Sequence, residues 1–168
     1  MELKGNAHKF GNDINTDYII SGKYKFNTID MKELSVHLME DLRPNFYKEI
    51  KSGDFIVAGE NFGCGSSREQ APLVIKHAGI SAVIASSFAR IFYRNAINIG
   101  LPLIEVPTDN IEEGDLLSVD LEKGIVKNIS KNESLNIIPL PVVMLKILQE
   151  GGLVSYYKKY GSLESINE

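Results

Sequence analysis

Short apolar runs alternate with stretches of helical spacing over the first two thirds of the chain. Residues 2–10 alternate loosely between apolar and polar and are predicted as a strand. Gly11-Asn-Asp-Ile-Asn-Thr-Asp17 is a polar turn of residues that bond their own backbone. Asp30 and Glu33 have capping-box spacing, and Leu34, Leu38 and Leu42 follow at helical spacing until Pro44 ends the run. Phe55-Ile-Val-Ala58 is a buried strand, and a helix is predicted over about 68–78, with Ile75 and Ala78 inward. Pro72 disfavours an early start for that helix, which moves its regular part towards Ala71. Ala82–Ala85 is the next strand, Phe88–Ile97 a helix ending near Gly100, and Leu103–Val106 a third strand. This order predicts an α/β fold with a mainly parallel central sheet and crossover helices.

The pattern changes after Pro107. Turn signals at Gly114-Asp115, Glu122-Lys-Gly124 and Lys131-Asn132 separate short runs at 116–121, 125–129 and 134–138. They predict a small C-terminal β-meander or barrel-like addition. Pro141 opens a short helix through about Gln149, Gly151-Gly152 stops it, and the polar tail from Ser155 is expected to fray. No repeat or low-complexity linker divides residues 1–168, so one domain is expected.

Composition narrows the partners. The 168 residues are 43% hydrophobic and 24% charged, with net charge −4 and no basic run, which argues against nucleic acid as the main partner. No apolar stretch reaches bilayer length, and Met1–Gly5 carries no apolar signal core, so the expected compartment is the cytoplasm. The lone Cys64 excludes an internal disulfide and cannot hold an iron–sulfur cluster. The three histidines lack ligand spacing, so no metal site is expected within this chain.

The chemistry concentrates in Gly59-Glu-Asn-Phe-Gly-Cys-Gly-Ser-Ser-Arg-Glu-Gln-Ala-Pro72. Glycines permit a sharp turn, Ser66 and Ser67 supply hydroxyls, and Arg68 is a permanent cation whose fork fits a carboxylate or phosphate. Together they predict a site for an anionic substrate. The dinucleotide fingerprint fails at Arg68, no lysine completes a P-loop, and the serine-hydrolase elbow spacing is absent. Ser66 and Ser67 also fit capping boxes with Glu69 and Gln70, so capping and chemistry both stay open. Positive potential from Arg68 and loop N–H groups favours a serine alkoxide, which can take a proton next to a carboxylate. Cys64 reads as a small buried hydrophobe before it reads as a nucleophile. Arg90 and Arg94, four apart on one helical face, are surface or interface charges or a second anion contact. Asp17 by itself is a turn residue.

Three segments in order carry a resemblance: Gly11–Ile19, Gly59–Glu69 and Phe88-Ala-Arg-Ile-Phe-Tyr-Arg-Asn-Ala-Ile-Asn-Ile-Gly-Leu-Pro102. Over nearly the whole chain they resemble the small subunits of 3-isopropylmalate dehydratases, in their short archaeal-type form. Such a subunit is the aconitase-family swivel domain, a β/β/α fold, as a separate polypeptide. The resemblance implies a hydro-lyase active only with a large subunit that carries a [4Fe–4S] cluster, with no cofactor bound by this chain. The implied reaction interconverts 2- and 3-isopropylmalate through isopropylmaleate, in leucine biosynthesis. Ser66 matches the family's catalytic base, Ser67 and Arg68 its substrate-carboxylate contacts, and Asp17 its early aspartate. Specificity is expected in Tyr24, Lys25, Phe26, Asn27 and Thr28. Phe26 suits an apolar substituent, whereas Lys25 suits a distal carboxylate. That leaves homoaconitase and dimethylmalate dehydratase subunits as alternatives behind isopropylmalate. A stand-alone carboxylate-binding module is the rival from another class.

Overall fold

The computed structural model describes residues 1–25 and 28–161. Strand β1 (Glu2–Lys9) is the hinge of the sheet. Its C-terminal half pairs in parallel with β2 (Phe55–Ala58), with Ala7 opposite Phe55 and Lys9 opposite Val57. Its N-terminal half pairs antiparallel with β5 (Leu116–Asp120), with Glu2 opposite Asp120. On the parallel side β2 joins β3 (Ala82–Ala85), and β3 joins β4 (Leu103–Glu105). On the other side β6 (Ile125–Asn128) and β7 (Glu133–Asn136) extend the antiparallel meander. The order is β4-β3-β2-β1-β5-β6-β7. The predicted meander is therefore a continuation of the parallel sheet and not a separate barrel.

Both faces of the parallel half are covered, so β2 and β3 are buried at every position, as continuous apolar runs require. The two-residue strand period divides them between two cores. Ile56, Ala58, Val83 and Ala85 face α4 (Gln70–His77) and the segment before β2. Phe55, Val57, Ala82 and Ile84 face the meander and α6 (Val142–Gln149). Helix α5 (Arg90–Asn98) serves both, with Phe92 and Ala96 in the first core and Ile97 in the second.

Two sequence expectations change and one, the late start of the Pro72 helix, holds. The leucine-spaced helix after Asp30 is only α3 (Met31–Ser35), capped by the Asp30 carboxylate. Met39 takes a left-handed φ of 56° and its N–H donates to the Ile19 carbonyl (3.0 Å), so a tertiary bond draws the chain off the helix path. Leu34 and Leu38 are still buried, but Leu42 is exposed. The Pro72 helix starts at Gln70, which puts Pro72 in the first turn, where its missing N–H costs nothing. The tail does not fray at Ser155. It forms α7 (Leu153–Tyr160), anchored by a buried Tyr156. Among the described residues no helix is long and apolar enough to cross a membrane.

Candidate active site

The three segments singled out in the sequence follow the C-terminal ends of β1, β2 and β3, three adjacent parallel strands. Open parallel sheets hold their ligands at this edge. Backbone bonds zip the first two segments together. Asp13 N–H donates to Glu60 (2.9 Å), Gly63 N–H to Ile14 (2.7 Å) and Thr16 N–H to Cys64 (2.8 Å). The Asn12 side chain accepts from Glu60 N–H at 2.8 Å. The third segment joins through Phe62 N–H to Ser87 (3.0 Å) and Ala89 N–H to Phe62 (2.9 Å).

This clamp orients the functional groups. Asn15 caps α1 (Thr16–Ile19) by accepting from Tyr18 N–H at 3.0 Å, and so sets Asp17 in the first turn. The Asp17 carboxylate is ion-paired with Arg68 Nη2. Arg68 Nη1 donates to the Ile20 carbonyl at 3.0 Å. Thr16 is buried, and its Oγ1 donates to the Ser66 carbonyl at 2.9 Å. Arg68 N–H donates to the same oxygen at 2.9 Å. Gly63 (φ 81°) and Gly65 (φ 90°) occupy left-handed conformations that place Ser66 at the surface. Gly63 also lies against Phe92, where a Cβ would come within 2.2 Å of the ring.

The result is an open cleft of about 330 Å³, lined by Thr16, Ser66, Arg68, Arg90, Phe92 and Asn95 among others. Ser66 lines it and Ser67, though exposed, does not, a distinction that spacing alone left open. Neither serine caps the following helix. Glu69 occupies the N-cap, with no side-chain bond, so both hydroxyls are released from that structural role. Arg90 and Arg94 separate likewise, since only Arg90 lines the cleft. Thr16 and Asn95 were not picked out in the sequence. A threonine in a polar turn and an asparagine in an amphipathic helix carry no signal until the fold brings them together.

Cys64 is half-buried, less buried than expected. Burial and the nearby Asp13 carboxylate push its thiol above the ordinary range, which disfavours a thiolate nucleophile. Among the described residues no group of three His, Cys, Asp or Glu side chains is arranged to hold a metal ion.

The expected specificity segment is only partly in view. Phe26 and Asn27 lie outside the described residues. Helix α2 (Gly22–Lys25) begins against the site, since a Cβ on Gly22 would lie 3.5 Å from Arg68 Nη2. Tyr24 and Thr28 instead line a separate hollow of about 200 Å³, where Tyr24 stacks on His37 with ring centroids 3.7 Å apart.

Comparison with known proteins bears on the family and the fold. The aconitase C-terminal domain family matches residues 9–109. A curated relative, 3-isopropylmalate dehydratase small subunit 2 of Archaeoglobus fulgidus, is 58% identical over 98% of this chain and 99% of its own length. The 3-isopropylmalate dehydratase small subunit of Wolinella succinogenes is 54% identical over 92% of this chain and 93% of its own. A crystal structure of 3-isopropylmalate dehydratase from Methanocaldococcus jannaschii superposes with a TM-score of 0.91 at 52% identity, covering 98% of each chain.

Proposed function

The chain belongs to the aconitase C-terminal domain family, with 3-isopropylmalate dehydratase small subunits as its near relatives, and from that premise we propose that it supplies one wall of a hydro-lyase active site. The observation that carries this reading is the convergence of Ser66 and Arg68 on one open cleft, with Asp17 ion-paired to Arg68. The exposure of Ser66 leaves the opposite wall to a second subunit.

In this reading the large subunit holds the [4Fe–4S] cluster, because the lone Cys64 with its raised thiol is no ligand set. Such a cluster would supply Lewis acidity at the substrate hydroxyl. This chain's part is binding and proton transfer. Arg68, held by Asp17 and Ile20, presents its remaining N–H groups to a substrate carboxylate. Ser66, as its alkoxide, takes the proton from the carbon beside that carboxylate and becomes the hydroxyl, while the hydroxyl on the neighbouring carbon takes a second proton from the large subunit's side and leaves as water, giving the unsaturated acid. Readdition of water with the two positions exchanged, and return of the proton, completes the isomerisation. The substrate is 2- or 3-isopropylmalate and the compartment the cytoplasm. Ser67 stands beside the cleft as a further carboxylate contact, and the segment that begins with α2 against Arg68 reads the isopropyl group, with Tyr24 and Thr28 set around their own hollow.

Reconstitution with the large subunit tests this. The complex is expected to form the unsaturated intermediate from 3-isopropylmalate, followed by its absorbance, while either subunit alone is inactive. Preference for homoaconitate or dimethylmalate in the same assay would move the chain to a neighbouring specificity. Replacement of Ser66 by Ala is expected to cost about 10²–10⁴-fold in kcat. Turnover within a few fold of wild type would remove Ser66 as the base.

A further inference from the structure

A dicarboxylate substrate brings two negative charges into the cleft. Arg68 alone does not balance them. Its charge is met by the Asp17 carboxylate, and its Nη1 is occupied by the Ile20 carbonyl. A neutralised pair offers an incoming dianion geometry and hydrogen bonds but little net attraction.

Arg90 changes that balance. It is the first residue of α5, exposed, and it lines the same 330 Å³ cleft as Ser66 and Arg68. Among the described residues the arginine ion pairs belong to Arg43 and Arg68, and Arg90 has none. A guanidinium left without a counter-charge inside a cleft favours a carboxylate there. Two neighbours strengthen this. Asn95 lines the cleft one helical turn beyond Ile91 and adds an amide donor. The first turn of α5 has no capping side chain, and its residues from Ala89 to Phe92 border the same space.

We propose, on the basis of the hydro-lyase function and its dicarboxylate substrate, that Arg90 is a substrate-binding residue. It takes the second carboxylate, the one not held by Arg68, with Asn95 as its accessory donor. Arg68 then orients the reacting end for Ser66, and Arg90 fixes the far carboxylate. Arg94 carries the same charge on the same helix but stands outside the cleft, which makes it the control.

The test uses the reconstituted two-subunit enzyme with 3-isopropylmalate. Arg90→Gln is expected to raise KM by about 10–100-fold, the loss of one charge-assisted contact. Its kcat is expected to stay within about threefold, since binding is removed and not chemistry. Arg90→Lys should recover part of the loss, and Arg94→Gln should leave KM unchanged. An unchanged KM in Arg90→Gln overturns the assignment. So does an equal rise in Arg94→Gln, which would mark a long-range charge effect. Weakened subunit association in Arg90→Gln, read by sedimentation, also overturns it and makes Arg90 an interface charge. A wild-type complex with no turnover sinks the hydro-lyase function itself, and the assignment with it.

Discussion

The Arg68 guanidinium is ion-paired with the Asp17 carboxylate from the first turn of α1, and the two meet only because the loops after β1 and β2 are zipped together. The Asp17 side chain is 58% exposed and that of Arg68 19%, so the pair adds little to stability, about 0–1 kcal/mol. Its weight falls on positioning. Loss of Asp17 has two opposed effects: it removes a charge that repels substrate, and it frees Arg68 to move. The repulsion from a half-exposed carboxylate is screened by water. A misplaced binding group costs up to about 10²-fold. Positioning therefore wins. Asp17→Ala is expected to lower kcat/KM by about 10–100-fold with an almost unchanged melting temperature. Equal or higher catalytic efficiency would show that Asp17 does not position Arg68.

Thr16 acts one step behind Ser66. Its hydroxyl is buried and donates to the Ser66 carbonyl. Thr16→Val keeps the shape and removes the bond, for a stability loss of about 0.5–1.5 kcal/mol. Arg68 N–H still reaches the same oxygen, so the low end is expected. The turn from Gly65 to Arg68 loosens, and backbone hydrogen exchange there should quicken while kcat falls. Unchanged exchange with normal kcat would detach Thr16 from the site.

Gly63 is set by two independent constraints. Its φ of 81° disfavours any side chain, and a Cβ would lie 2.2–2.7 Å from three atoms of Phe92, which is itself buried. Gly63→Ala is expected to cost about 2–5 kcal/mol, the sum of left-handed strain and overpacking. A double-mutant cycle separates them. In a Phe92→Gly background, which removes the ring and also the Phe92 Cβ at 2.5 Å, the clash vanishes, and the increment should shrink to the backbone part, about 1–2 kcal/mol. Urea denaturation of the four proteins reads it. An increment that does not shrink would place the cost elsewhere.

Much of this was legible in the residues. The four-residue apolar runs at Phe55–Ala58 and Ala82–Ala85 are buried on both faces, as their shortness and unbroken apolar character suggest for parallel strands. The glycine segment pointed to an anion site because its side chains carry that chemistry, and the fold sets its Ser66 and Arg68 on one cleft. Tertiary competition hid the rest. The Ile19 carbonyl takes Met39 N–H and ends a helix that leucine spacing extends. Tyr156 is one of three tyrosines in a polar tail, and only its burial in the second core turns that tail into α7. Ser66 and Ser67 are equivalent in spacing. The glycine conformations and Thr16 turn one of them into the cleft, and neither effect is written in the segment itself.

The Asp54 carboxylate, buried at the start of the β1–β2 pairing, sets an acid limit on the fold. It accepts from Asn6 N–H (2.9 Å), Lys51 N–H (2.9 Å) and the His8 ring at Nε2 (2.8 Å). Burial by itself raises its pKa, but these donors outweigh it and hold the carboxyl below the ordinary range. A depressed folded-state pKa means that the unfolded chain binds the proton more readily. The stabilisation is therefore complete above the unfolded value, about 4, and is lost as pH falls through the folded value. Glu113 and Asp115 are also held low, so the total acid slope does not isolate Asp54. A comparison does. Asp54→Asn turns an amide NH₂ towards backbone donors and should destabilise by about 1–3 kcal/mol at pH 7. As pH drops below about 4 the carboxyl of the unfolded chain takes up its proton while the folded one, held lower, stays ionised, so the wild-type advantage shrinks and the two stabilities should converge towards the folded value. Urea titrations of both proteins between neutral pH and about pH 3, below the unfolded carboxyl value, measure the gap. A gap that stays constant would mean that Asp54 acts through packing and not through its charge.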